Sequence, residues 1–284
     1  MRRMRRLTVI VLLLAVLPGA AGAAGVTSAA PHPANGGDGA IWTFCFEDRD
    51  IPPWRTRVGA GLNIDLLEAA SRQIGLRLRY VALPWRRCQS GVAKGEIDGL
   101  FAISHSGERE RLWVYPPGEA DRARFRMFQD SYILLRRSGD AVTAVDGRVI
   151  NLQGRIGAQP GYSVVADLRQ QGLDVDDGTP EPARIVRKLL EGRLGAAALG
   201  MNDWRDLQAQ DEPALDGVEA LAEPLFEKDY FLVVSHRRYV HSPRAVNALW
   251  DAIAAKRDGV VDAGIRPSTP RQERATPPAN GRAD

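Results

Sequence analysis

Two cysteines and four histidines in 284 residues limit the metal and redox chemistry open to this chain. No histidine stands at ligand spacing from Cys45 or Cys88, so neither a zinc centre nor any other metal site is expected. The sequence has no glycine-rich phosphate loop, and no cofactor is expected. In an oxidising compartment an even cysteine count favours a bridge. Cys45 lies in the apolar run Ile41-Trp42-Thr43-Phe44-Cys45-Phe46, and Cys88 falls one helical turn after Trp85 and one before Val92. Both positions point inward, so a Cys45–Cys88 disulfide is expected. A further cluster is Ser104-His105-Ser106-Gly107-Glu108-Arg109. Ser106 has the type and place of a helix N-cap. The guanidinium three residues later is a planar fork that suits a carboxylate. Glu227 and Asp203 are chemically fit for proton transfer, but no pattern singles them out.

These groups need a scaffold, and the hydrophobic periodicity supplies one. A strand over 41–46 precedes a loop over 47–61 that carries Pro52-Pro53. Apolar residues at helical spacing run from Leu62 to Ile74 and stop at Gly75. Strand 76–83, helix 84–94 and strand 97–103 follow, completing a β-α-β-α-β order that predicts a parallel α/β sheet. Single strands are expected at 132–135 and 230–234. Between them a second series reads as strand 155–158, a helix from Tyr162, a strand near 173–175, helix 182–191, strand 196–199 and a helix from Asn202. A last helix runs from Ser242-Pro243 to about Lys256. The fold class is therefore α/β, with two lobes joined by two hinge strands and a cleft between them for a ligand.

Export is expected from the N-terminal segment. Arg2, Arg3, Arg5 and Arg6 precede an apolar run from Leu7 to Leu17, and Ala21-Gly22-Ala23 offers a cleavage site. The run is shorter than the roughly 20 residues a membrane helix needs. Residues 1–23 are thus assigned to a signal peptide and 24–40 to a loose leader. Residues 41–136 with 230–265 are assigned to lobe 1, 137–229 to lobe 2, and 266–284 to a disordered tail. The formal charge is +3, and the four leader arginines account for all of it. No basic face remains to favour nucleic acid. A monomeric periplasmic protein is expected.

Specific motifs then accumulate in order. Gly61-Leu62-Asn63-Ile64-Asp65-Leu66 resembles the G-F-x-V-D-L segment of the bacterial extracellular solute-binding proteins of family 3, the polar amino-acid binders of ABC importers. Asp48 through Trp54 resembles the family's D-x-x-x-x-P-F loop, and Trp85 with Gly95-Glu96-Ile97-Asp98 resembles its W…G-x-V-D. Ser104 to Arg109 is similar to T-x-T-x-x-R, Gly161-Tyr162-Ser163 to the G-S-T that opens a second-lobe helix, and Gly192-Arg193-Leu194-Gly195-Ala196 to a late G-x-V-D-A. The resemblance spans about 41–260. It implies the type II periplasmic binding fold.

The resemblance also implies roles. Arg109 would hold a ligand carboxylate by two prongs, with Ser104 and Ser106 beside it. Tyr162 and Ser163 would close from the other lobe, Ser163 at a helix N-terminus where an anion is favoured. Trp85 would stack on the ligand, Trp54 would be a weaker candidate for that, and Asp48 would meet a polar or cationic group. One departure stands out: Gly200 occupies the place of the aspartate that usually holds an α-ammonium, leaving Asp48 or Asp203 to substitute. The implied ligand is therefore a carboxylated solute with an apolar portion rather than an ordinary polar amino acid. The implied function is solute capture for an ABC importer or a sensor. The alternatives are a dehydratase built on the same cleft, since some relatives are cyclohexadienyl dehydratases, or an accessory protein with a degenerate cleft.

Overall fold

The computed structural model describes residues 41–118, 120–210 and 215–265. The segments read as signal peptide, leader and tail lie outside the described residues. Among the described residues, no helix is long and apolar enough to cross a membrane.

The first half of the chain forms β1 (Ile41–Glu47), α1 (Leu62–Gln73), β2 (Arg77–Leu83), α2 (Trp85–Ala93), β3 (Gly99–Ser104) and the short α3 (Gly107–Glu110). β1 lies parallel between β2 and β3. α1 buries Leu62, Ile64, Leu66, Leu67 and Ala70. The last helix, α8 (Pro243–Ile265), packs on α1 and places Val246, Leu249, Trp250 and Ile253 in the same core. Cys45 of β1 and Cys88 of α2 are fully buried there and disulfide-bonded, with Cα atoms 5.7 Å apart. The bridge ties α2 to β1 across 43 residues of sequence. Replacing both cysteines by serine is expected to cost about 2–4 kcal/mol through restored freedom of the unfolded chain. Urea unfolding reads this as a lower midpoint, and an unchanged midpoint would refute it.

Next come β4 (Phe128–Arg137), the hairpin β5 (Thr143–Val145) and β6 (Arg148–Ile150), β7 (Ile156–Gly157), α4 (Ser163–Gln170), β8 (Val175–Asp176), α5 (Pro182–Leu190), β9 (Ala196–Gly200) and α6 (Met201–Ala209). β10 (Val218–Ala220), β11 (Phe226–Val234) and α7 (His236–His241) precede α8. β7 lies parallel to β8 and β9, and their apolar side chains fill two further cores. The hairpin was not expected from the sequence. Its turn, Asp146-Gly147, has positive φ at both residues, the backbone a two-residue hairpin requires.

Two long strands join the halves. β11 pairs with β3 through Tyr230–Val234 and with β4 through Phe226–Tyr230. β4 pairs with β11 through Phe128–Tyr132 and with β9 through Tyr132–Leu135. One sheet thus runs in the order β2-β1-β3-β11-β4-β9-β7-β8. Both joining strands are longer than their apolar runs suggested. Phe128 and Phe226 still reach the flanking cores, while the other extra residues, Gln129-Asp130-Ser131 and Glu227-Lys228-Asp229, are polar and belong to neither.

Candidate functional site

The strand crossings fix a cleft. Tyr230 pairs with both Ser104 and Phe128, and Tyr132 pairs with both Phe226 and Gly200. Side chains two apart on a strand share a face. Phe128, Asp130 and Tyr132 obey that rule, and all three line the cleft. The cleft takes in about 520 Å³ of space between atoms, part of it open solvent.

The apolar wall comes from four elements. The loop after β1 turns back on itself, with Ile51 N–H donating to the Arg55 carbonyl at 2.8 Å. Gly61 permits this: its φ is +111°, and a Cβ there would lie 2.8 Å from the Arg55 Cα. The loop sets Trp54 in a stack with Phe128, centroids 4.3 Å apart, and Phe128 stacks in turn on Tyr230 at 4.7 Å. Trp85, at the start of α2, adds a further face and donates its Nε1–H to the Gly161 carbonyl at 3.2 Å.

The polar end forms where β3 meets α3. The β3–β11 register shifts between Phe231 and Leu232, leaving Ala102 as the extra residue of a bulge with φ +60°. One inserted residue reverses the facing of the residues beyond it, and Ser104 enters the cleft at this point. Arg109 is 9% exposed. Its Nη1 donates to the Ser104 carbonyl and Oγ, both at 2.8 Å, and its Nη2 donates to the Gly161 carbonyl at 2.9 Å. Ser104 Oγ donates to Ser163 Oγ at 2.8 Å. Among the described residues no carboxylate pairs with Arg109, so a buried cation is met only by neutral acceptors.

A second charged group has the opposite sign. The carboxylates of Asp130 and Asp203 both approach Gly200: a Cβ there would lie 3.4 Å from Asp203 Oδ2 and 3.7 Å from Asp130 Oδ2. Asp203 is paired with Arg49. Asp130 has no ion-pair partner among the described residues. Burial pushes its carboxyl up to about 6, although hydrogen bonds from Ser131 N–H and the Asn202 side chain pull the other way. Tyr132 sits between the two poles: its hydroxyl is within hydrogen-bonding reach of Tyr230 and Ser163. Burial raises that phenol, so it remains protonated.

The structure brings Arg109, Ser104, Trp85, Tyr162 and Ser163 to one cleft. It does not bring Asp48 or Ser106 there. Asp48 is exposed, and the acid lining the cleft is its neighbour Glu47, because successive residues of an extended chain face opposite ways. Ser106 lines an outer groove and accepts the Arg109 N–H at 3.4 Å, which is the N-cap role. Of the two acids expected to substitute at Gly200, Asp203 lines the cleft and Asp48 does not, and a third acid joins it there. Asp130 reaches that spot from β4, and the period-two run Phe128, Asp130, Tyr132 was the signal for it. No group of three or more metal-ligating acids, histidines or cysteines occurs among the described residues.

No protein-family model matches the chain, and no curated protein matches it. Solved structures do match in fold. The ligand-binding core of GluR0 from Nostoc punctiforme in complex with L-glutamate is 16% identical, with a TM-score of 0.59, over 80% of this chain and 99% of that one. A histidine kinase sensor domain with similarity to periplasmic binding proteins is 19% identical, with a TM-score of 0.62, over 80% and 96%. The substrate-binding protein of an amino acid ABC transporter is 12% identical, with a TM-score of 0.59, over 80% and 100%.

Proposed function

We propose that this chain, with its two-lobed fold of the periplasmic-binding-protein type, captures a small solute carrying a carboxylate. The observation that carries the proposal is Arg109, a buried arginine in the cleft with no carboxylate partner among the described residues. A charge held out of water with only neutral partners is costly, and an anionic ligand completes it. Asp130 is the complementary case, a carboxylate with no ion-pair partner among the described residues, though the Arg205 charge acts on it weakly, and it suits an ammonium group. Together the two poles favour an α-amino acid over a simple acid, with Trp54, Phe128, Tyr230 and Trp85 receiving an apolar portion. Delivery to an importer or presentation to a sensor both fit, since the similar folds include one of each. The Cys45–Cys88 bridge supports an oxidising, extracytoplasmic location.

Calorimetric titration with amino acids and their deaminated analogues tests this reading. An amino acid is expected to bind at least tenfold more tightly than its deaminated acid. Equal affinities would remove Asp130 from the site, and absence of binding by every carboxylate would remove the whole reading. A second reading has one observation behind it: a buried carboxyl near 6 suits general acid–base work, as in a dehydratase. The two separate cleanly, because a captured solute is recovered unchanged and a substrate is not.

A further inference from the structure

Protein groups of the two lobes meet one another directly. Tyr162 of the second lobe donates its hydroxyl to Glu47 Oε2 of the first at 2.6 Å. The same oxygen accepts Arg55 Nη2 at 2.8 Å, so its position is fixed within the first lobe. Burial, and then the Glu47 charge, hold the Tyr162 phenol well above its ordinary range, so it stays a donor. Beside it Arg49 of the first lobe pairs with Asp203 of the second, and Arg49 Nη1 also donates to Tyr162 Oη at 3.5 Å.

The Gly161 carbonyl of the second lobe collects three donors from the first: Arg109 Nη2, Gln89 Nε2 at 3.1 Å and Trp85 Nε1. Gly161 has φ +77°, a conformation L side chains rarely adopt, so the turn that presents this carbonyl favours glycine. Glu47, Arg55 and Asp203 are nearly inaccessible to water, where charged contacts are weakly screened.

The geometry points to a built-in latch: Tyr162 on Glu47 and Arg49 on Asp203 hold the lobes together with the cleft empty. A protein that closes only on its solute would leave facing polar groups for the solute to bridge. Here Glu47, Tyr162 and Asp203 already have partners across the lobes, while Arg109 and Asp130 have no ion-pair partner among the described residues. The Tyr162–Glu47 and Arg49–Asp203 contacts therefore need no solute, whereas Arg109 serves both the Gly161 carbonyl and the solute, and a solute has to enter through a less populated open form. This inference does not depend on which solute is bound.

Small-angle scattering on the full exported chain tests it, after a denaturant wash and refolding with the disulfide intact to remove any carried solute. The wild type is expected to show the compact radius of gyration of the closed form without added ligand. Tyr162→Phe and Asp203→Asn each remove one charge-assisted contact and should move the equilibrium about tenfold or more towards open. The double variant should move it further, as a rising radius of gyration with unchanged near-ultraviolet circular dichroism. Should Tyr162→Phe fail to fold, Asp203→Asn and Arg49→Gln carry the test on the other contact. A wild type already expanded without solute overturns the inference, and so do folded variants as compact as the wild type. Neither result bears on whether the cleft binds a carboxylate, which titration decides separately.

Discussion

Arg109→Ala lowers the affinity for the captured solute by about thirty-fold or more while leaving the empty protein's melting temperature nearly unchanged. The affinity loss comes from leaving a ligand carboxylate without its partner in a dry cleft, about 2–5 kcal/mol. The small stability effect comes from what the arginine touches. The Ser104 carbonyl keeps the Tyr115 hydroxyl, which donates to it at 2.8 Å. The Gly161 carbonyl keeps Trp85 and Gln89. No buried acceptor is orphaned, and a buried cation is removed. Arg109→Lys keeps the charge without the fork and should recover only part of the affinity. Calorimetry with the tightest-binding amino acid measures the loss. Undiminished affinity in the alanine variant would place the carboxylate elsewhere, and a large fall in melting temperature would make Arg109 structural.

Asp130→Asn has two opposite effects. It removes the ammonium partner and should weaken amino-acid binding by a similar 2–5 kcal/mol. It should also stabilise the empty protein above about pH 6. The sign is set by the shift: burial raises this carboxyl from 3.8 to about 6. The folded state therefore holds the proton more tightly than the unfolded chain does. The charged form is a burden on the fold above about pH 6, and that burden is relieved as pH falls towards 4. Asparagine removes it at every pH and keeps the shape that meets Asn202. In the wild type, amino-acid affinity should be level above about pH 7 and fall by up to tenfold per pH unit below about 6, as the ammonium loses its partner. A solute with a carboxylate and no cation should show the reverse slope, because protonating Asp130 removes a repulsion. Titrations at pH 5 and 8 distinguish the two, and a flat profile would mean that Asp130 does not meet the ligand.

The local rules carried the secondary structure wherever a segment buries one continuous apolar face. α1, α5, α8 and β9 are such segments, and their spacing is visible without a fold. The Cys45–Cys88 pairing was legible for the same reason: a strand face and a helix face both point inward, and the sequence has no other cysteine. The motif order from Gly61 to Ala196 led to Arg109, Ser104, Trp85, Tyr162 and Ser163, which the structure gathers at one cleft.

What the tertiary structure alone decided depends on contacts between segments far apart in sequence. Whether Glu47 or Asp48 reaches the cleft turns on a single step at the end of β1, and local composition is the same for both. The bulge at Ala102 brings Ser104 into the cleft, and only the pairing with β11 reveals it. Asp130 and Asp203 are distant in the chain and meet at Gly200 because β4 and β9 are neighbours. Spacing along the chain specifies which residues share a face of one element. Which faces then oppose one another, and so which charges remain unpaired, is a property of the packed sheet.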